Sequence, residues 1–339
     1  MLVPGSRLRL PFLASALTAV AVTAAACGSS PGTPQTSQTT QSSAPNRATT
    51  VPSSAPPSTT VPSSAPTTTT FPANAANATL PAAKGNTRPY WLLENFSVQK
   101  LLDAGLPLSL LQSYFNNPKT FVIVKAGAPT SNQYLPDATY VMSFANYRKM
   151  RQALNFGLVP SNIRYLLFDD EKWPATPATE QAQPFQYESA AESLSHARGL
   201  GLIFTPAANL STVLNPAYTE TTKYDGYVSL GIGSNGAKYA NVLEIQSQQD
   251  EALGGFVSFV TQAAAQAEAA NPNVLVLAGL TTNGPGDAIT PQLLLNDYNA
   301  TRDAVSGYWL NIPGGHGKGP RNPQVAVQFL QQLAPQLGY

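Results

Sequence analysis

Eight short β-branched or aromatic runs alternate with longer amphipathic stretches over about 255 residues, and this rhythm predicts an α/β fold: a (β/α)8 TIM barrel spanning residues 85–339. Two further observations point the same way. The runs are almost continuously apolar, as strands covered on both faces require, and the stretches between them carry apolar residues at spacings near 3.6. An open doubly wound sheet is the rival arrangement of the same elements.

In chain order the runs are Phe121 to Val124, Tyr140 to Phe144, Tyr165 to Asp169, Leu202 to Thr205, Tyr227 to Leu230, Val242 to Gln246, Val274 to Ala278 and Tyr308 to Ile312. Helices are expected over Ala190 to Arg198, Leu253 to Glu268, Pro291 to Val305 and Pro323 to Leu337. Thr290 before Pro291 and Asn322 before Pro323 read as caps followed by proline in the first helical position. The segment from Tyr90 to Asn117 reads as a helical lead-in that covers the barrel floor.

Ahead of the barrel the chain has a different character. Residues 1–26 open with Arg7 and Arg9 and continue into an apolar stretch too short for a stable membrane span, ending in small residues before Cys27. This pattern resembles a bacterial lipoprotein signal. The resemblance implies cleavage before Cys27, lipidation of its thiol and attachment to the outer face of a membrane; an ordinary secretory signal cut nearby is the alternative. Residues 27–84 are rich in Ser, Thr and Pro and repeat Val51-Pro52-Ser53-Ser54-Ala55-Pro56 at Val61 to Pro66. Such a segment buries too little apolar area to offset its chain entropy, so a disordered tether is expected.

Composition narrows the chemistry. Loss of Arg7 and Arg9 with the leader leaves 17 basic against 18 acidic residues, which offers no electrostatic basis for binding nucleic acid. Cys27 is the only cysteine, so no internal disulfide or cysteine zinc site is expected. With only His196 and His316 besides, the sequence predicts no metal and no cofactor, and carboxylate chemistry becomes the default.

In a barrel of this kind the reacting groups lie at the carboxyl ends of the strands. The third run ends in Asp169-Asp170-Glu171-Lys172-Trp173. Strand period places Asp169 and Glu171 on one face, where mutual repulsion raises one pKa while the other group stays ionised, giving a proton donor and a charge stabiliser. Here the chain resembles the glycoside hydrolase barrels, and locally the chitinase-like family, whose strand motif ends Asp-x-Glu. That family carries the motif on its fourth strand, and its earlier aspartates fall here on Arg164 and Leu167. The resemblance implies Glu171 as acid and Asp169 as the group assisting a substrate acetamido group.

The remaining candidates surround this motif. Glu244, Gln246 and Gln248 alternate on the sixth run, and a Glu244 facing Glu171 would complete the carboxylate pair that glycoside hydrolysis uses. Trp173, Tyr308 and Trp309 are aromatic platforms for sugar faces, and Asp170, Gln246, Asn311 and His316 are polar groups for hydroxyls. Each has a structural alternative: tryptophans in strands are commonly core, Glu244 can belong to a strand-face network, and Asp170 can face helices and bind Arg198. The sequence thus predicts an exported, lipid-anchored monomer acting on a glycan or envelope component. A noncatalytic glycan-binding barrel and a structural envelope lipoprotein are the alternatives.

Overall fold

The computed structural model describes residues 76, 80–85, 88–284, 288–313 and 322–339. The leader, Cys27, the linker up to residue 75 and the glycine-rich turn holding His316 lie outside the described residues.

Eight parallel strands close into a barrel in sequence order. They are β1 (Tyr90–Glu94), β2 (Thr120–Lys125), β3 (Thr139–Phe144), β4 (Ile163–Phe168), β5 (Gly201–Phe204), β6 (Val242–Ile245), β7 (Leu275–Thr281) and β8 (Gly307–Asn311). The seam is the β8–β1 pair, in register Trp91 to Tyr308. Gly307 permits it, because a Cβ there would run into the carbonyl of Tyr90.

The outer layer is helical with one gap. α1 (Asn95–Asp103) and α2 (Leu108–Phe115) follow β1, and α3 (Tyr147–Asn155) follows β3. After β4 come α4 (Ala178–Ala182) and α5 (Pro184–His196), and after β5 come α6 (Ser211–Leu214), α7 (Lys223–Ser229) and α8 (Ile232–Ala237). α9 (Asp250–Leu253) and α10 (Phe256–Ala270) follow β6, α11 (Pro291–Thr301) follows β7, and α12 (Pro323–Leu337) ends the chain. Residues 126–138, between β2 and β3, contain no helix; Gly127, Pro129 and Pro136 disfavour one there. Tyr140 orders this loop instead, its hydroxyl accepting from the Asn132 N–H at 2.7 Å and donating to the Leu135 carbonyl at 2.9 Å.

Two expectations are corrected. Tyr90–Glu94 is a strand, not part of a helical lead-in, so the run that ends at Asp169 belongs to the fourth strand. Tyr227 to Leu230 is not a strand: most of it lies in α7, where the Tyr227 ring packs edge-on against Phe259 of α10 at 5.3 Å. The β-propensity of Tyr227 and Val228, in a run bounded by glycines, yields here to the need for the β5–β6 crossover to pack against the outer layer. Of the two expected caps, Thr290 accepts from the Leu293 N–H at 3.1 Å, whereas Asn322 makes no side-chain cap bond.

Strand period separates two cores. Tyr90, Leu92, Phe121, Ile123, Val141, Tyr165, Leu167, Ile203, Val242, Leu275, Leu277 and Trp309 fill the barrel interior, while the alternate residues pack against the helices. The floor is closed by the chain just before β1: Ala83 belongs to the interior cluster and Leu80 packs against it. The Gly85 N–H donates to the Arg302 carbonyl at 2.8 Å, and the Asn241 side chain donates to the Ala76 carbonyl at 3.0 Å.

Candidate active site at the barrel mouth

The inward parity of each strand decides what reaches the mouth. Tyr90 and Leu92 point into the barrel, so Glu94 is the next inward residue of β1; by the same count Lys125, Ser143, Asp169, Thr205, Glu244, Trp309 and Asn311 come inward around the ring. Two recesses open there. The larger, about 970 Å³, is lined by Glu94, Phe96, Lys125, Ser143, Asp169, Glu171, Trp173, Trp309 and Asn311, among others. A smaller one of about 300 Å³ is lined by Asn209, Lys223, Tyr224, Gln246, Gln248 and Gln249, and shares Glu171, Trp309 and Asn311 with the first. Glu171 therefore stands where the two meet.

Asp169 is held by its neighbours. Its N–H donates to the Phe144 carbonyl at 2.9 Å, extending the β3–β4 ladder by one residue. One carboxyl oxygen accepts from Thr205 Oγ1 at 3.0 Å and from Gln246 Nε2 at 3.0 Å. The Gln246 amide also reaches Glu171 Oε1 at 3.5 Å, which holds the two carboxyl groups side by side, so they titrate as a pair. Burial lifts both above the ordinary carboxylate range. Glu171 is lifted further, because it also feels the charge of Asp169, whereas Asp169 is drawn back by its Thr205 and Gln246 donors. A proton on Glu171 and a charge on Asp169 is the arrangement an acid catalyst needs.

The loop after β4 is fixed as well. Trp173 Nε1 donates to Thr176 Oγ1 at 2.8 Å, and that hydroxyl donates to the Ala145 carbonyl at 2.8 Å. The Lys172 N–H donates to Asn209 Oδ1 at 2.9 Å. Trp173 thus presents its ring to the larger recess, 37 % exposed. Trp309 is nearly buried, and its indole N–H has no hydrogen-bond partner. That N–H is itself buried, so the part of Trp309 that lines the recess is its ring.

Several candidates fall elsewhere. Glu244 points inward but is fully buried and lines neither recess; one oxygen accepts from Gln248 Nε2 at 3.2 Å and the other is unpartnered. Burial and the nearby Asp169 hold it well above the carboxylate range, hence neutral, so it is corrected from catalytic carboxylate to a group beneath the site. Tyr308 is corrected too: it faces the helices, with its hydroxyl donating to the Tyr298 carbonyl at 3.0 Å. Asp170 points out of the barrel into the helical layer, buried beside Glu180 and Glu188, and cannot meet a substrate at the mouth. Arg198 does not reach it; that guanidinium donates to the Leu154 carbonyl at 2.7 Å. His196 bridges Glu192 and Asn241 on α5, at 2.8 and 3.0 Å.

Glu94, Lys125 and Phe96 line the site and were not singled out in the sequence. Taking Tyr90 to Asn117 for a helical lead-in hid Glu94 and Phe96, where the aromatic pair Tyr90-Trp91 after Pro89 is the signal that marks a strand; Lys125 is the polar residue that ends the expected run Phe121 to Val124. Among the described residues no group of three or more His, Cys, Asp or Glu could hold a metal ion.

No protein-family model matches the chain, and no curated protein matches it. Solved structures do. A provisionally assigned alpha-L-fucosidase from Bacteroides thetaiotaomicron is 8 % identical, with 77 % of this chain and 97 % of that one covered, at a TM-score of 0.46. A curdlan-specific exo-beta-1,3-glucanase from Blastomyces gilchristii is 15 % identical, with 66 % and 94 % covered, at 0.38. A sugar phosphate isomerase/epimerase from Parabacteroides distasonis is 12 % identical, with 76 % and 98 % covered, at 0.42. What this chain is similar to thus includes both hydrolases and isomerases, and the fold does not choose between them.

Proposed function

We propose that the protein is an exported, lipid-anchored glycoside hydrolase acting on an extracellular or cell-envelope glycan, with Glu171 as proton donor and Asp169 as its electrostatic partner. The observation that carries this reading is the Asp169–Glu171 pair, bridged by the Gln246 amide on the wall of an open recess that also presents Trp173 and Trp309. Burial keeps the proton on the pair at neutral pH, and the tryptophans offer apolar faces to pyranose rings. The open recess argues against the structural-lipoprotein alternative, which calls for a plugged mouth.

Asp169-Asp170-Glu171 follows β4, the strand on which the chitinase-like family carries its motif. Arg164 and Leu167 in place of the family's earlier aspartates argue for a different hydrogen-bond network below Asp169, here supplied by Thr205 and Gln246. The resemblance of residues 1–27 to a lipoprotein signal supports reading the proposed activity as extracytoplasmic.

The test uses the mature chain with Cys27→Ser, offered chito-oligosaccharides, β-1,3-gluco-oligosaccharides and uronic-acid oligosaccharides. Reducing-end release and binding are read together for wild type and Glu171→Gln. Release that falls in the variant by about 10²-fold or more, with binding kept, is the expected result. Binding without release in the wild type would replace the hydrolase by a glycan-binding barrel, and silence in both assays would refute both.

A further inference from the structure

We propose that Glu94, at the end of β1, is a second catalytic carboxylate of this site, the base that takes a proton from the water attacking the sugar. This rests on the hydrolase reading above and assigns a role that the Asp169–Glu171 pair leaves open.

Four observations lead there. First, Glu94 continues the inward row of Tyr90 and Leu92 and lines the same recess as Glu171. Second, β1 and β4 are separated by two strands in a ring of eight, so Glu94 enters the recess from a different wall than the β4 pair. A substrate lying over Trp173 and Trp309 would have Glu171 on one side and Glu94 on another. Third, among the described residues no hydrogen bond holds the Glu94 carboxyl. The other mouth carboxyls are committed or hidden: Asp169 is bound by Thr205 and Gln246, and Glu244 is sealed beneath. Fourth, the groups facing Glu94 electrostatically are Lys125 of β2, Lys100 of α1 and Asp169. The two lysines favour its ionised form, against burial and Asp169, which together bring it to about 7. A base poised near neutrality beside an acid held further up lets both be in their working forms at one pH.

The step balances without any further reagent. The water oxygen bonds to the anomeric carbon as one water proton passes to Glu94, and the bond from that carbon to the glycosidic oxygen breaks as this oxygen takes the proton of Glu171. The products are a hemiacetal and an alcohol, and the proton on Glu94 returns to the pair through solvent. Direct attack by water inverts the anomeric centre.

The experiment compares wild type, Glu94→Gln and Glu94→Ala on the oligosaccharide of the panel above that gives the most release, with and without sodium azide. The proton NMR of the first product identifies its anomer, and calorimetry of the same oligosaccharide checks that the variants still bind. Expected are a fall in kcat of about 10²-fold or more for both variants, affinity within about threefold of wild type, loss of the acid limb of the pH profile in Glu94→Gln, and an inverted product from the wild type. Azide should restore turnover to Glu94→Ala as the inverted glycosyl azide, since azide needs no base. A kcat within twofold of wild type in Glu94→Gln, a wild-type product of retained configuration, or azide without effect on a variant that still binds would each overturn the role of Glu94 and leave Glu171 standing. No release from the wild type would instead remove the hydrolase itself, and this role with it.

Discussion

Asp169 and Asp170 are neighbours in the chain and opposites in the fold. Asp169 faces the recess and accepts from Thr205 and Gln246, while Asp170 faces the helices, fully buried, with neither oxygen partnered. Behind it both oxygens of Glu188 and the Tyr227 hydroxyl are equally unpartnered. The inner group faces space that a ligand can enter; the outer group is pushed toward its neutral form by burial and by the nearby Glu180 and Asp169. One peptide step at the end of a strand separates a reactive carboxyl from an inert one.

This contrast can be broken by substitution. In the release assay Glu171→Gln should lose about 10²-fold or more, whereas Asp170→Asn should stay within about twofold; a large loss in Asp170→Asn would end the division into inner and outer roles. A smaller effect tests the outer group by stability. Burial and the nearby acids raise Asp170 from an ordinary 3.8 to about 7, so the folded protein holds that proton more tightly than the unfolded chain. The resulting stabilisation is complete below about pH 4 and is lost as pH rises through about 7. The wild-type Tm should therefore fall over that window, and Asp170→Asn should flatten the fall. An unchanged slope would mean that Asp170 is solvated.

The inner side is sharpened by two milder changes. Thr205→Val removes a donor to Asp169, costing about 1 kcal/mol, so the Asp169 carboxyl should titrate about 0.7 of a pH unit higher by NMR. A titration that stays or moves down would show that Thr205 does not support the charge. Trp173→Ala should weaken glycan binding about fivefold by removing about 1 kcal/mol of ring contact, without moving either limb of the profile. Binding unchanged in calorimetry would take Trp173 out of the site.

Much of this architecture was legible in the sequence, for a physical reason. Seven of the eight expected runs coincide with strands, because strands buried between a filled barrel and a helical coat must be apolar on both faces and so stand out by composition. The two errors arose where that signal is weakest. Tyr90 to Glu94 is five residues long and runs directly into α1, so strand and helix share one apolar stretch. Tyr227 was read as a strand residue from its neighbours' propensity, although its ring serves a helix contact. At the site, alternation correctly put Asp169 and Glu171 on one face. It also put Glu244 inward, but depth along the barrel, which buries Glu244 and exposes Glu171, depends on how neighbouring strands end and is not written in any one of them.

The closed floor has a mechanical consequence. The chain enters the barrel through Leu80, Ala83 and Gly85, at the end opposite the mouth. A pull on the segment that precedes residue 76 is taken up first by these few contacts, and the eight strands lie between that load and Glu171. The first thing a strong enough pull would release is this plug and not the Asp169–Glu171 pair.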